Sequence, residues 1–447
     1  MSGAKALIIF GLALLFCLAN ADFEHEHKDD EHCAPGTNHE HCAPGDHDHD
    51  SKVSGRRLLG KDEPKGGAAA DPAAGAAAAD PAAAGGAGGV FDILKAGAVA
   101  DGKTDSSEIF MKIWQSACHA PEGKITIPKG SFLTNPLVLQ GPCKNTKPLV
   151  FELIGTLVAP TDLSAYPEDT WILFQNVENV LITGGGTLDG VGASAWKYND
   201  CKQNKDCAKL PSNMKFQRVT HGVVSGITSL NSKYFHFHVT DCNDITFENV
   251  QITAPGDSPN TDGIHFSDTI KVKVSGTTIA TGDDCISVGP GVEDGTFDGL
   301  SCGPGHGLSV GSIGKRPGEK PVKGITFSNC KITGTTNGAR IKSFGDSPPG
   351  SATGITFQDI TMTDVENPII IDQNYGHKGV SKTVINDVHF KNIKGTSKTP
   401  VSILLDCSSA NPCEAELTNI NLPGTAECTN AKITSTAPSV PACKAAA

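Results

Sequence analysis

Six stretches of this chain share one form: "VENVLITGGGTLDG" (177–190), "CNDITFENVQITA" (242–254), "TIKVKVSGTTIATG" (269–282), "VKGITFSNCKITGT" (322–335), "ATGITFQDITMTDV" (352–365) and "TVINDVHFKNIKGT" (383–396). Each runs through a short alternating or β-branched strand, closes on Gly, Asn or Asp, and starts another. The two "GITF" copies begin at Gly324 and Gly354, thirty residues apart. Strand–turn–strand order repeated at this spacing, with no helix between copies, predicts coils that stack parallel strands around one long core: an all-β, right-handed parallel β-helix. A sandwich is the alternative. It would need tight hairpins and a reversal at every strand, whereas these copies keep one order throughout.

The repeats set the domain boundaries. The solenoid is expected to start near Val90 and to fill 90–447 as one domain. In "TDSSEIFMKIWQSAC", Phe110, Ile113, Trp114 and Ala117 fall on one helical stripe, with Asp105 and Glu108 at capping-box spacing. A single helix is expected there, covering the open first coil and its strand edges. Residues 1–21 carry Lys5, an apolar run and Ala19-Asn20-Ala21, the pattern of a cleaved secretory signal, too short for a membrane anchor. Residues 22–59 are rich in His and acid, with too little apolar surface to fold. They form a disordered pro-region that ends at Arg56-Arg57-Leu58-Leu59. Residues 60–89 form an Ala/Gly/Pro linker.

An exported chain with fifteen cysteines calls for disulfides. Close spacing pairs Cys201 with Cys207, Cys407 with Cys413, Cys428 with Cys443 and Cys118 with Cys143. Cys242 and Cys330 lie inside strand-like runs and read as buried thiols. No apolar run after the signal would span a bilayer, so no membrane partner is expected. The seven histidines between His25 and His49 match no defined metal spacing.

Charge follows the same boundaries. Residues 22–59 hold ten acids against four bases, half of the formal net charge of −12. The solenoid is only mildly acidic, which argues against a nucleic-acid partner. Its basic groups at Lys197, Lys202, Lys205 and Lys209, and at Lys315, Arg316, Lys320 and Lys323, favour an anionic substrate if they flank a cleft.

"TGDDCISV" (281–288) sets two aspartates side by side where alternation would send them to opposite faces. Either they belong to a solvated turn, or the chain bends at Gly282 and both reach one cleft. Stacked coils favour the second. Asp262 in "NTDG" lies twenty-one residues before Asp283, and His306 in "GPGHG" twenty-three after it. Neighbouring coils are about 4.8 Å apart, so residues one repeat distant become neighbours. Arg340 and Lys342 in "RIK" alternate onto one side of a strand. Three carboxylates, an imidazole and two cations can share one groove.

"NTDG", "GDDC", "GPGHGLSVGSIG" and "RIK", in this order, resemble the four signatures of the polygalacturonases, glycoside hydrolases of family 28. "FDILKAGAVADGKTD", "EDTWILFQNVENVLITGGGTLDG" and "GASAWKYNDC" are similar more particularly to the plant pollen-type exopolygalacturonases. The resemblance implies a secreted cell-wall enzyme that hydrolyses α-1,4-galacturonosidic bonds of polygalacturonate or pectin with inversion, from the chain end. By resemblance Asp283 is the general acid, Asp262 and Asp284 hold the attacking water, and His306 orders the acid's proton. Arg340 and Lys342 would clamp the uronate carboxylate, with Asn260 and Tyr375 supporting the sugar.

Clustered aspartates should also push one carboxyl toward its protonated form. No metal or other cofactor is required, and a monomer is expected. Gly376 stands where those relatives carry a cysteine, which removes a staple near the groove. The competing readings are an endo-acting enzyme, a Ca²⁺-dependent pectate lyase and a non-catalytic pectin-binding wall protein. The insert from Lys197 to Phe216 is the candidate wall that would impose exo action.

Overall fold

The computed structural model describes residues 85–86, 89–200, 204, 207–376, 379–435 and 443–444. The expected signal peptide and pro-region, and nearly all of the expected linker, lie outside them. The described chain is the expected right-handed parallel β-helix. Among the described residues every strand pairing is parallel except one short antiparallel contact of Gly85–Gly86 with Val90–Asp92.

One coil shows the plan. Strand β1 (Ile264–Ser267), β2 (Ile270–Ser275) and β3 (Thr278–Ala280) are followed one level on by β4 (Ile286–Val288), β5 (Glu293–Asp298) and β6 (Ser301–Cys302). Register is strict from level to level: Ile264 faces Ile286, Val272 faces Gly295, and Ile279 faces Cys302. The β1-type strands build a twelve-stranded sheet from Leu137–Gln140 to Cys443–Lys444, while the other two ladders merge into the long strands Gly350–Val365 and Thr383–Ser397.

The turn residues that close each sequence repeat have one physical job. Between the β2-type and β3-type strands the backbone passes through the left-handed region at Asn249, Asn329, Asp359, Asn392 and Asn419, all with φ between 53° and 56°. Asn and Asp tolerate that conformation better than other non-glycine residues, and the next residue can then turn inward. Those inward residues are Val250, Cys330, Ile360, Ile393 and Ile420, all buried. Cys330 is therefore a core residue at a corner, and Cys242 occupies the preceding corner of its own coil. Both are free and buried, as expected.

The core is continuous along the axis. Phe297, Phe327, Phe357 and Phe390 occupy one position in four successive coils and stack at centroid separations of 4.5, 4.9 and 5.4 Å. The helix α1 (Ser107–His119) closes the first coil with Phe110, Ile113, Trp114, Ala117 and Cys118 buried. Its cap differs from expectation. Ser106 is the N-cap and makes no side-chain cap bond, while Asp105, one residue earlier, accepts from the Ser107 N–H at 3.0 Å. The Asp105 side chain is committed to Ser107 and Asn135, so no capping box with Glu108 forms.

The disulfides Cys118–Cys143, Cys407–Cys413 and Cys428–Cys443 are present as expected. Cys207 is disulfide-bonded, and its expected partner Cys201 lies outside the described residues. Cys285–Cys302 was not anticipated; it joins the residue just before β4 to the end of β6 within the core.

Candidate active site

Strands of the twelve-stranded sheet carry every candidate residue at or near an end. Asp262 precedes β1, Asp283 and Asp284 precede β4, and His306 precedes strand Leu308–Ile313. Arg340 and Lys342 lie within Asn337–Phe344, and Tyr375 ends Asn367–Tyr375. Parallel stacking alone would bring these ends together, and the contacts confirm that it does.

The chain bends at the paired aspartates because Gly282 lets it. A Cβ there would lie 2.0 Å from the Ser258 carbonyl oxygen, so the neighbouring coil's backbone leaves room for hydrogen only. Gly307 does the same on the other side of His306. Its φ is +87°, and a Cβ would meet the Asn337 carbonyl at 2.0 Å. With the bend made, carboxylate oxygens of Asp283 and Asp284 and a ring nitrogen of His306 all come within 4.8 Å of one another. Asp262 sits in the adjoining coil, where the Gly263 N–H donates to the Asp284 carbonyl at 2.9 Å.

The neighbouring carboxyls have different surroundings. Asp283 Oδ1 accepts from the Asp284 N–H at 2.8 Å and faces His306 Nδ1 at 2.9 Å, while Oδ2 accepts from the Asn260 amide at 3.3 Å. Asp284 is enclosed by cations. Arg340 Nη2 and Ser309 Oγ donate to its Oδ1, the latter at 2.8 Å, and Lys342 Nζ donates to Oδ2 at 2.9 Å.

Burial alone would raise the Asp284 pKa, but Arg340 and Lys342, helped by His306, hold this carboxyl far below the usual carboxylate range. It is ionised. Burial depresses His306 too, yet the hydrogen bond and charge of Asp283, with that of Asp284, raise its pKa above the ordinary 6.5. The cations, more than repulsion among aspartates, thus fix the charge state of Asp284.

Arg340 and Lys342 were expected to face substrate. Both are buried and engaged with Asp284, and Lys342 Nζ also sits 4.7 Å above the Tyr375 ring. Tyr375 packs in turn on Phe344 at 5.5 Å, so ring contact holds the residue that precedes Gly376. Asn260 accepts from the Asn199 amide at 2.9 Å, which ties the start of the 197–216 insert to the acid's own partner.

Two serines were missed. Ser287 Oγ donates to Asp262 Oδ2 at 2.6 Å, and Ser309 Oγ makes the bond to Asp284 already given. A common offset could have found them: Ser287 is three residues after Asp284, and Ser309 three after His306.

A cavity of about 310 Å³, lined by none of Asp262, Asp283, Asp284 and His306, has Lys215, His238, His265, Lys315, Arg316 and Glu319 in its wall together with Asp169, Asp241 and Asp268. The Glu319 carboxylate accepts the backbone N–H groups of Gly314, Lys315 and Arg316 at 2.7, 3.0 and 2.9 Å, which folds that loop against the cavity. The other expected basic groups divide. Lys320 pairs with Asp268 at 2.8 Å and Lys323 with Glu293 at 3.0 Å, Lys197 lies over the Tyr198 ring, and Lys202 and Lys205 are outside the described residues.

The cluster Asp283, Asp284 and His306 has the spacing to hold a metal ion. Its charge argues for another use. Two buried cations already neutralise Asp284 and occupy both of its oxygens.

Residues 118–443 match the family described as glycosyl hydrolases family 28. An exopolygalacturonase from Platanus acerifolia is 43% identical over 80% of this chain and 98% of its own length. One from Zea mays is 45% identical over 78% of this chain and 88% of its own. Among solved structures, a hyperthermoactive exopolygalacturonase from Thermotoga maritima shares the fold with a TM-score of 0.68. It is 20% identical and is matched over 77% of this chain and 90% of that one.

Proposed function

Because the chain belongs to family 28 of the glycosyl hydrolases, we infer that it cleaves the α-1,4-galacturonosidic bonds of polygalacturonate by inverting acid/base hydrolysis, working from a chain end. The observation that carries this reading is the contrast between chain neighbours: Asp284 kept ionised by Arg340 and Lys342, and Asp283 instead joined to His306 and Asn260. Hydrolysis of a glycoside needs one carboxyl that gives a proton and another that accepts one from water.

In this reading Asp283 protonates the departing glycosidic oxygen. The attacking water lies between Asp262 and Asp284, loses its proton to them and adds to the anomeric carbon from the opposite face. His306 holds Asp283 in orientation through Nδ1. Arg340 and Lys342 have two duties, fixing Asp284 and presenting cationic edges to the uronate carboxylate, while Asn260 and Tyr375 bound the sugar. No bound cofactor enters the scheme, so a chelator should leave the rate unchanged.

Exo action is supported by the exopolygalacturonases this chain is similar to and by Asn199, which brings the insert to Asn260. Secretion is supported by the leader pattern of residues 1–21 and by the buried disulfides. Among the described residues no helix is long and apolar enough to cross a membrane.

The test is product analysis on oligogalacturonides, with the anomer followed by proton NMR. Saturated galacturonic acid appearing first as the β-anomer is the expected result, and Asp283→Asn should lower kcat by about 10²–10⁴-fold. Unsaturated, ultraviolet-absorbing ends would replace hydrolysis by elimination. Unchanged turnover in the variant would remove Asp283 from the chemistry.

A further inference from the structure

One outward-facing line of the twelve-stranded sheet runs Lys215, His238, His265, Ser287, Ser309, Arg340, each in register with the next. At its centre two serines do matching work. Ser287 Oγ donates to Asp262, and Ser309 Oγ donates to Asp284. A hydroxyl has one proton, so a group that approaches such a serine from its other side must itself donate. At Ser309 that group is Arg340 Nε, at 2.9 Å.

At Ser287 it is His265 Nδ1, at 2.8 Å. The direction of the Ser287–Asp262 bond therefore requires the hydrogen of His265 to sit on Nδ1. The ring is not loose: it stacks on Phe235 at 4.8 Å and 24°, meets His238 edge-on at 5.3 Å, and is 8% exposed. Each water-side carboxylate is thus gripped by a serine, and each serine by a nitrogen donor. Arg340 belongs to the coil after Ser309, and His265 to the coil before Ser287.

We propose that His265 is a positioning residue for the hydrolysis, clamping Ser287 and through it Asp262. This rests on the reading that Asp262 holds the attacking water. His265 acts at a distance from the reacting atoms, setting the rotamer of the serine and the direction of the Asp262 lone pairs. A carboxylate displaced by about 1 Å from its productive position can cost about 10²-fold in rate. Substrate affinity should change little, since the Ser287–Asp262 bond aligns the water.

The experiment is steady-state kinetics of the full chain on a defined oligogalacturonide, with thermal melting of each variant. His265→Phe keeps the ring and deletes the donor, while His265→Asn sets an amide N–H near the position of Nδ1. Ser287→Ala removes the intermediary. Expected are kcat losses of about 10²-fold for His265→Phe and for Ser287→Ala, with KM within about threefold, and recovery to within about threefold in His265→Asn. The double variant His265→Phe/Ser287→Ala should be no slower than Ser287→Ala alone.

A His265→Phe enzyme with wild-type kcat, or losses that multiply in the double variant, would overturn the proposal. Should His265→Phe not fold, His265→Asn and His265→Gln carry the test, because the longer amide misses Ser287; equal kcat in those two would overturn it as well. Asp262→Asn keeps the two questions apart. Activity surviving that change condemns the reading of the site itself, while its loss beside an unaffected His265→Phe condemns only the role of His265.

Discussion

Asp284 is a carboxylate buried with two cations and a hydroxyl. Removing its charge would leave Arg340 and Lys342 buried without compensation. Asp284→Asn should therefore cost about 3–5 kcal/mol in denaturant unfolding, well beyond the cost of Asp283→Asn. His306 gives a pH signature. Its pKa is raised in the folded state, so the stability it contributes is complete below 6.5 and is lost as pH rises through the folded value. The Tm advantage of wild type over His306→Gln should shrink as pH rises above 6.5; a constant gap would contradict the shift. Asp284 runs the other way, its contribution fading only in strong acid as pH falls through a depressed value. Much of this quartet was legible in the sequence, because Asp262, Asp283, Asp284 and His306 sit in glycine-bounded motifs one repeat apart. The commitment of Arg340 and Lys342 to Asp284 was not. Spacing says which side of a strand a residue occupies, but not which of two anions, substrate or aspartate, it meets there.

Among the elements, the strands and their corners were the most legible. The Asn and Asp residues that close each repeat are the ones that take the left-handed corner, and the phenylalanines of "TF" and "HF" are the stack they enclose. Helix α1 was legible from its stripe but not from its cap, since Asp105 binds Ser107 and Asn135 in place of a capping box with Glu108. The Cys285–Cys302 bridge escaped because its cysteines belong to different motifs, seventeen residues apart. It closes the loop that begins one residue after Asp284. The double variant Cys285→Ala/Cys302→Ala should lose about 3 kcal/mol in unfolding. Activity should fall further than stability explains, because Cys285 stands directly between Asp284 and β4, which carries Ser287; a variant with full kcat would show the bridge to be purely structural.

At the largest scale the described residues form a series of coils with the candidate site on one sheet. The insert expected from Lys197 ends before Phe216, because Ser212–Gln217 is a strand of the twelve-stranded sheet; it starts beside Asn260, and in the proposed reading it is the wall that imposes exo action. Early hydrolysis of polygalacturonate should release reducing sugar with little fall in viscosity, and Asn199→Ala should leave folding intact while loosening that wall. A steep early viscosity drop with wild type would assign an open groove instead. The solenoid was legible from its repeats alone, whereas the wall was visible only as an interruption whose direction the sequence does not encode.

The corner asparagines carry one more consequence. Because each coil is closed by its own local bend and contributes only one or two groups to the groove, a lineage can exchange a single rung's outward residue, or lengthen a single turn, without rethreading its neighbours. Variation in what such enzymes accept should then be distributed rung by rung along the axis, with the aspartate rungs as the fixed point about which the others drift.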